Sequence, residues 1–126
     1  MNMGRKSILI VEDELITAMD IQMRLAKHGY ESVHFVATGE EAIDMVHNGN
    51  IGLILMDIKL KGVMDGIRTT KYIRTKFGIP IIYISGNSDT HMLKRLNDTG
   101  PAGIIIKPIN EAQLFKSVDD VLRNRA

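Results

Sequence analysis

Five polar side chains stand where apolar runs stop. Glu12 and Asp13 follow Ile8–Val11, Asp57 follows "LILM" at 53–56, Ser85 follows "IIYI" at 81–84, and Lys107 follows "III" at 104–106. Carboxylates that converge repel one another, and in a half-buried place one is held protonated unless a cation neutralises the group. Oxygen ligands of this kind suit Mg²⁺, which keeps several waters and takes only one or two carboxylates plus a phosphate oxygen. Lys107 could pair with Asp57 or with an oxyanion attached to it, and Ser85 offers a hydroxyl to the same anion. A carboxylate held at a rigid strand end can attack phosphorus and form an acyl phosphate, with metal and lysine together neutralising the transferring group. Lys59 lies two residues beyond Asp57, where its backbone carbonyl can help hold the ion.

Taken singly, each residue has a plainer reading. Glu12 and Asp13 could be acids that favour a helix N-terminus, worth about 0.3–1 kcal/mol each. Asp57 could be a turn residue, Ser85 part of a Gly86-Asn87-Ser88 loop, and Lys107-Pro108 a strand stopped by proline. The chemical reading therefore depends on whether the fold gathers these strand ends.

The runs at 8–11, 53–56, 81–84 and 104–106 are apolar on both faces, the habit of strands in a parallel sheet covered on both sides, and Ser32–Ala37 is a weaker fifth strand. Between them the apolar period becomes that of helices at 14–28, 39–48, 66–77, 89–98 and 110–124, with Leu15, Ala18, Ile21 and Leu25 on one stripe and Leu114, Phe115, Val118, Val121 and Leu122 on another. His28-Gly29, Asn48-Gly49 and Gly78 close helices, Thr99-Gly100-Pro101 prevents continuation, and Asn110 with Gln113 three residues on is a helix start. Strand-helix units repeated five times require right-handed crossovers and a doubly wound α/β sandwich. With strand order 2-1-3-4-5, strands one and three flank the reversal, and their carboxylates meet in the crevice where such folds bind ligands.

Composition narrows the classes. The chain has 126 residues, 44% apolar and 25% charged, which fits one domain over 1–126 with no output domain in this chain, whether it stands alone or is a piece of a longer protein. No run approaches the roughly 18–20 apolar residues of a membrane span, and "MNMGRKS" has no cleavage pattern, so a cytoplasmic protein with no membrane role is expected. Zero cysteines exclude disulfides and thiolate chemistry. A net charge of +1 argues against direct nucleic-acid binding, although residues 57–76 carry six Lys/Arg against two Asp and so read as a solvated basic helix face. The four histidines show no ligand spacing, and the eight methionines read as core filler.

From "ILIVEDE" through "ILMDIKLKG…MDG" and "IIYISG" to "IIIKPI", the chain resembles a response-regulator receiver domain of two-component signalling. The resemblance implies a flavodoxin-like fold in which Asp57 is the phosphoacceptor, Glu12 and Asp13 are the acidic pair serving Mg²⁺, Ser85 is the switch hydroxyl and Lys107 the phosphoryl-binding lysine. It implies a phosphohistidine donor on a sensor histidine kinase or histidine phosphotransfer protein. It also implies a chain that catalyses only its own phosphorylation and dephosphorylation, and a cis bond at Lys107-Pro108. An unknown downstream protein, or a second copy of the chain, would meet the face made by helix four, strand five and helix five, where Met92, Leu93, Lys94, Arg95 and Leu96 lie.

Some positions depart from the pattern of the family. Lys61 stands where a proline is common, the path from Asp57 to Asp65-Gly66 is one residue longer, and Ile104 replaces the usual aromatic three residues before the lysine. Lys59 and Asn87 occupy positions where receivers tune acyl-phosphate lifetime. Two other classes share the fold. A flavodoxin-like nucleotide-binding domain would need an anion-binding turn after strand one, where Val11-Glu12-Asp13-Glu14 stands instead. A pseudo-receiver, an interaction module without phosphorylation, would have no reason to keep Glu12, Asp13, Asp57, Ser85 and Lys107 together.

Overall fold

A computed structural model of the chain describes residues 6–60 and 62–123; the expectation attached to Lys61 lies outside the described residues. Five strands alternate with five helices: β1 Ser7–Val11, α1 Leu15–Lys27, β2 Val33–Val36, α2 Gly39–Asn48, β3 Ile51–Asp57, α3 Gly66–Phe77, β4 Ile81–Ser85, α4 Thr90–Asn97, β5 Gly103–Ile106 and α5 Glu111–Leu122. All strand pairs are parallel, in the order β2-β1-β3-β4-β5. This is the doubly wound arrangement that the sequence predicts. The longest strand, β3, is central and carries Asp57 as its last residue.

Alternation along the strands divides the core between the two faces of the sheet. Ile8, Ile10, Leu53, Leu55, Ile82 and Ile84 pack under α1 and α5 with Ala18, Ile21, Leu25, Leu114 and Val118. Leu9, Val11, Ile54, Met56, Ile81 and Tyr83 pack on the other side with Ala42, Val46, Ile67, Ile73 and Leu96 of α2, α3 and α4.

Side-chain caps set most helix starts. Thr38 accepts from the Glu41 amide, Asp65 from Arg68, Asp89 from Met92 and Asn110 from Gln113, each satisfying an otherwise orphaned first-turn donor. Gly78 ends α3 in the left-handed conformation at φ 67°, which a side chain would strain.

Two expectations fail on α1. Leu15 is 59% exposed, because the apolar stripe begins one turn before the core does and Ala18 is its first buried member. Met19 and Met23, expected as core filler, are half exposed beside it, and Ile16 is 83% exposed. At the other end of α1, His28 stacks on Phe115 at 4.0 Å and its Nε2 lies 2.9 Å from Asp119 of α5. Tyr30 also donates to Asp119, with Arg123 over its ring. Among the described residues no helix is long and apolar enough to cross a membrane.

Candidate functional site

Strand tips put the polar residues in one place. Glu12 and Asp13 leave the end of β1, Asp57 terminates β3 next to it, and Lys107 follows β5 across a cis bond to Pro108. One carboxylate oxygen from each of Glu12, Asp13 and Asp57 lies within 4.8 Å of the others. Lys107 Nζ stands 3.3 Å from Asp57 Oδ2 and 3.8 Å from Glu12 Oε1. The amides of Lys59 and Glu14 donate to Asp57 Oδ1 and Glu12 Oε2, each at 3.1 Å. Three acids facing one ammonium leave an excess of negative charge, and hard oxygen donors at that spacing fit a small divalent cation.

Ser85 is at the tip of β4 but is turned into its own loop. Its Oγ donates to the Asn87 carbonyl at 2.8 Å and accepts from the Asn87 amide at 3.0 Å. A hydroxyl has one proton, so Ser85 must break the first of these bonds before it can donate to an anion on Asp57.

The connection from β3 to α3 is tied down at both ends. Gly66 donates its amide to the Ile58 carbonyl at 3.0 Å, and a Cβ on Gly66 would stand 2.2 Å from the Asp57 carbonyl oxygen and 2.8 Å from Ile58 Cα. Only glycine admits so close a backbone approach. Asp65 then caps α3, and Thr69 Oγ1 donates to its carbonyl at 2.8 Å. The longer path that the sequence indicates is taken up by α2, where Glu40 Oε1 accepts from the Met64 amide at 3.2 Å and Gly62 turns beneath the same carboxylate at φ 100°. Sequence reasoning missed Glu40, because an acid in a first helical turn looks like a response to the helix dipole.

Burial is the largest influence on Glu12, whose carboxyl is pushed up to about 7; the Glu14 amide opposes this, and Asp57 adds to the rise. Burial works against the Lys107 ammonium, but Asp57 and Glu12 outweigh it and hold the group above its ordinary range. The first shift predicts a pH dependence for the metal-free protein. Between pH 4.5 and about 7 the folded chain keeps a proton on Glu12 that the unfolded chain has lost, so stability is full at the acidic end and falls as pH rises through 7. Unfolding free energies from denaturant titrations at pH 5.5 and pH 8 should differ by on the order of 1–3 kcal/mol. A Glu12→Gln variant should show a much flatter profile, and an equally steep one would remove Glu12 as its source.

Comparison with known proteins agrees with this geometry. A family model described as response regulator receiver domain matches residues 8–119, a span that includes Glu12, Asp13, Asp57, Ser85 and Lys107. The chain is 29% identical over 114 residues to the transcriptional regulatory protein PdtaR of Mycobacterium tuberculosis, covering 90% of this chain and 55% of that protein. It is 32% identical over 119 residues to the response regulator ArlR of Staphylococcus haemolyticus, covering 94% and 53%. It thus spans about half the length of these curated relatives. A two-component response regulator from Clostridium difficile superposes with a TM-score of 0.88 at 25% identity, over 97% of this chain and all of that one. Strand order, acidic cluster, opposing lysine and a family match across nearly every element lead to one conclusion: the chain belongs to the response regulator receiver domain family.

Proposed function

We propose that Asp57 accepts a phosphoryl group from a phosphohistidine on a sensor histidine kinase or histidine phosphotransfer protein, and that the resulting charge switches the surface built from α4, β5 and α5. The observation that carries this reading is the approach of Lys107 to 3.3 Å from an Asp57 oxygen at the mouth of the Glu12, Asp13 and Asp57 cluster. A phosphoacceptor and an acidic pocket for Mg²⁺ are general to receiver domains. Here Glu12, Asp13, Asp57 and the carbonyl of Lys59 are the residues that would hold the ion, whose charge neutralises the transferring group when bound.

The chain's own groups supply the rest. Held by the Lys59 amide at one oxygen and by Lys107 at the other, Asp57 presents its carboxylate in fixed geometry for in-line attack on phosphorus. Phosphorylation adds about −1.5 to −2 charge and three acceptor oxygens. Lys107 follows the new oxygens, and Ser85 leaves Asn87 to donate to one of them. Inverting a 1:99 equilibrium needs a preference of roughly 5.5 kcal/mol for the active state, within reach of a few charge-assisted hydrogen bonds to a metal-neutralised group. Ser85 moves the β4–α4 loop, and through it α4.

Two surfaces suit partners. Leu15, Ile16, Met19 and Met23 give α1 an exposed apolar stripe beside the site, fitted to the helices of a phosphohistidine donor. On α4, Lys94 and Arg95 are exposed and Met92 and Leu93 half-buried, while Leu96 is fully buried and closed to any partner. This second face would meet a downstream protein or a second copy of the chain.

Incubation with Mg²⁺ and acetyl phosphate, read by intact mass, tests the proposal. One phosphoryl group should appear, lost on treatment with hydroxylamine as an acyl phosphate is. A chain that stays unlabelled would be a pseudo-receiver.

A further inference from the structure

Receivers with an aromatic three residues before the lysine carry a ring on strand five, and here that position is Ile104, a half-buried aliphatic. A ring stands instead on the neighbouring strand. Tyr83 of β4 lies in register with Ile104, has no exposed surface and is the largest fully buried side chain among the described residues. It precedes Ser85 by two residues and so shares its face of the strand, about 7 Å away.

The hydroxyl of Tyr83 has a determinate role. Thr99 Oγ1, just past the end of α4, donates its single proton to the Leu96 carbonyl at 2.7 Å. The 2.8 Å contact between the Tyr83 hydroxyl and Thr99 Oγ1 must therefore have tyrosine as donor. A chain of two hydrogen bonds thus fastens β4 to the last turn of α4. Thr70 of α3 is fully buried, and its hydroxyl has no hydrogen-bond partner. Burial raises the Tyr83 hydroxyl above its ordinary range and Thr70 and Thr99 both oppose that rise, so Thr70 borders the same phenol. Buried unpaired hydroxyls are rare because they cost stability, and each calls for an explanation. A tyrosine hydroxyl bonded to one threonine and bordered by a second, unbonded one has two partners to choose between, and a choice of that kind is what physical coupling between sites requires.

We propose that the Tyr83 hydroxyl is a two-position relay that reports the state of Asp57 to the α4–β5 corner, bonded to Thr99 when Asp57 is unmodified and to Thr70 when it is phosphorylated. The proposal rests on the phosphoacceptor reading above. When Ser85 gives up Asn87, the β4–α4 loop and α4 shift along the sheet and carry Thr99 with them. Thr70 is on α3, anchored by the Asp65 cap and away from that loop, and it receives the phenol that Thr99 releases. The relay thereby takes the place of the missing strand-five aromatic.

Hydrogen exchange over residues 90–103, measured before and after phosphorylation, tests it, with intact mass reporting phosphorylation separately. In the wild-type chain, phosphorylation should speed exchange at 96–100 by about tenfold. Tyr83→Phe, which keeps the ring and deletes the hydroxyl, should reach that faster rate unmodified, gain nothing further on phosphorylation, and still take up its phosphoryl group. Thr99→Val removes the same bond from its other end and should behave alike, which covers the case of a poorly folding Tyr83 variant. Thr70→Val should leave the unmodified rates unchanged and blunt the phosphorylation-dependent increase. A Tyr83→Phe protein that labels normally and keeps the wild-type response overturns the relay. A wild-type chain that takes no phosphoryl group overturns the reading beneath it.

Discussion

Asp57→Asn should abolish phosphoryl uptake, reducing the mass increment from acetyl phosphate to background while leaving the fold intact. The amide matches the carboxylate in shape and keeps an oxygen for the Lys59 amide that Asp57 Oδ1 now accepts. What it lacks is the anionic oxygen that attacks phosphorus, and no neighbour can substitute. Glu12 is buried, and Asp13 has no lysine within ion-pair distance among the described residues. The variant should also be at least as stable as the parent without metal, because one of three mutually repelling acids is gone while Lys107 keeps Glu12 as a partner at 3.8 Å. Thermal unfolding with and without Mg²⁺ provides the check: the parent should gain stability from the ion and the variant should gain much less. Persistent labelling of the variant would move the phosphoacceptor elsewhere.

Gly66→Ala should be the most damaging single-methyl change near the site, costing about 3 kcal/mol or more. The added carbon would fall 2.2 Å from the Asp57 carbonyl oxygen and 2.8 Å from Ile58 Cα. Both are backbone atoms of the central strand's end and cannot swing aside as a side chain does. Relief requires α3 to withdraw, which breaks the Gly66–Ile58 hydrogen bond and shifts the Asp57 tip. Denaturant unfolding should show the loss of stability, and labelling under conditions where the variant is still folded should be slower at least tenfold, since small misplacements of a reacting group are costly. Gly78→Ala is the control: it is strained only by its φ of 67° and meets nothing within 4 Å, so it should lower stability modestly and leave labelling alone. Equal effects from the two substitutions would argue against close approach as the cause.

The architecture was legible because four strands are apolar on both faces, a pattern only a covered parallel sheet explains, and because polar residues at their ends are conspicuous. That is why residue types alone point Glu12, Asp13, Asp57 and Lys107 to one cleft. The direction of the Ser85 hydroxyl was not legible, since a rotamer chosen by the Asn87 backbone leaves no trace in residue types. Leu15 looked like core because helical period gives the face but not how far along the helix the core extends. The Glu40 contact joins residues 24 apart in sequence and depends on how α2 sits against the β3–α3 loop. The Tyr83–Thr99 bond was hidden for a similar reason: a tyrosine within "IIYI" looks like strand filler until its hydroxyl is followed to another element.

The Ile58 carbonyl and the Gly66 amide close the base of the loop that leaves Asp57. Lys59, just beyond that seam, still holds Asp57 through its amide, but past it the entropy of a closed loop grows only slowly with added residues. The stretch between Lys59 and Met64 can therefore lengthen or diversify, and descendants of this chain could acquire new rim chemistry there without re-evolving the reactive centre.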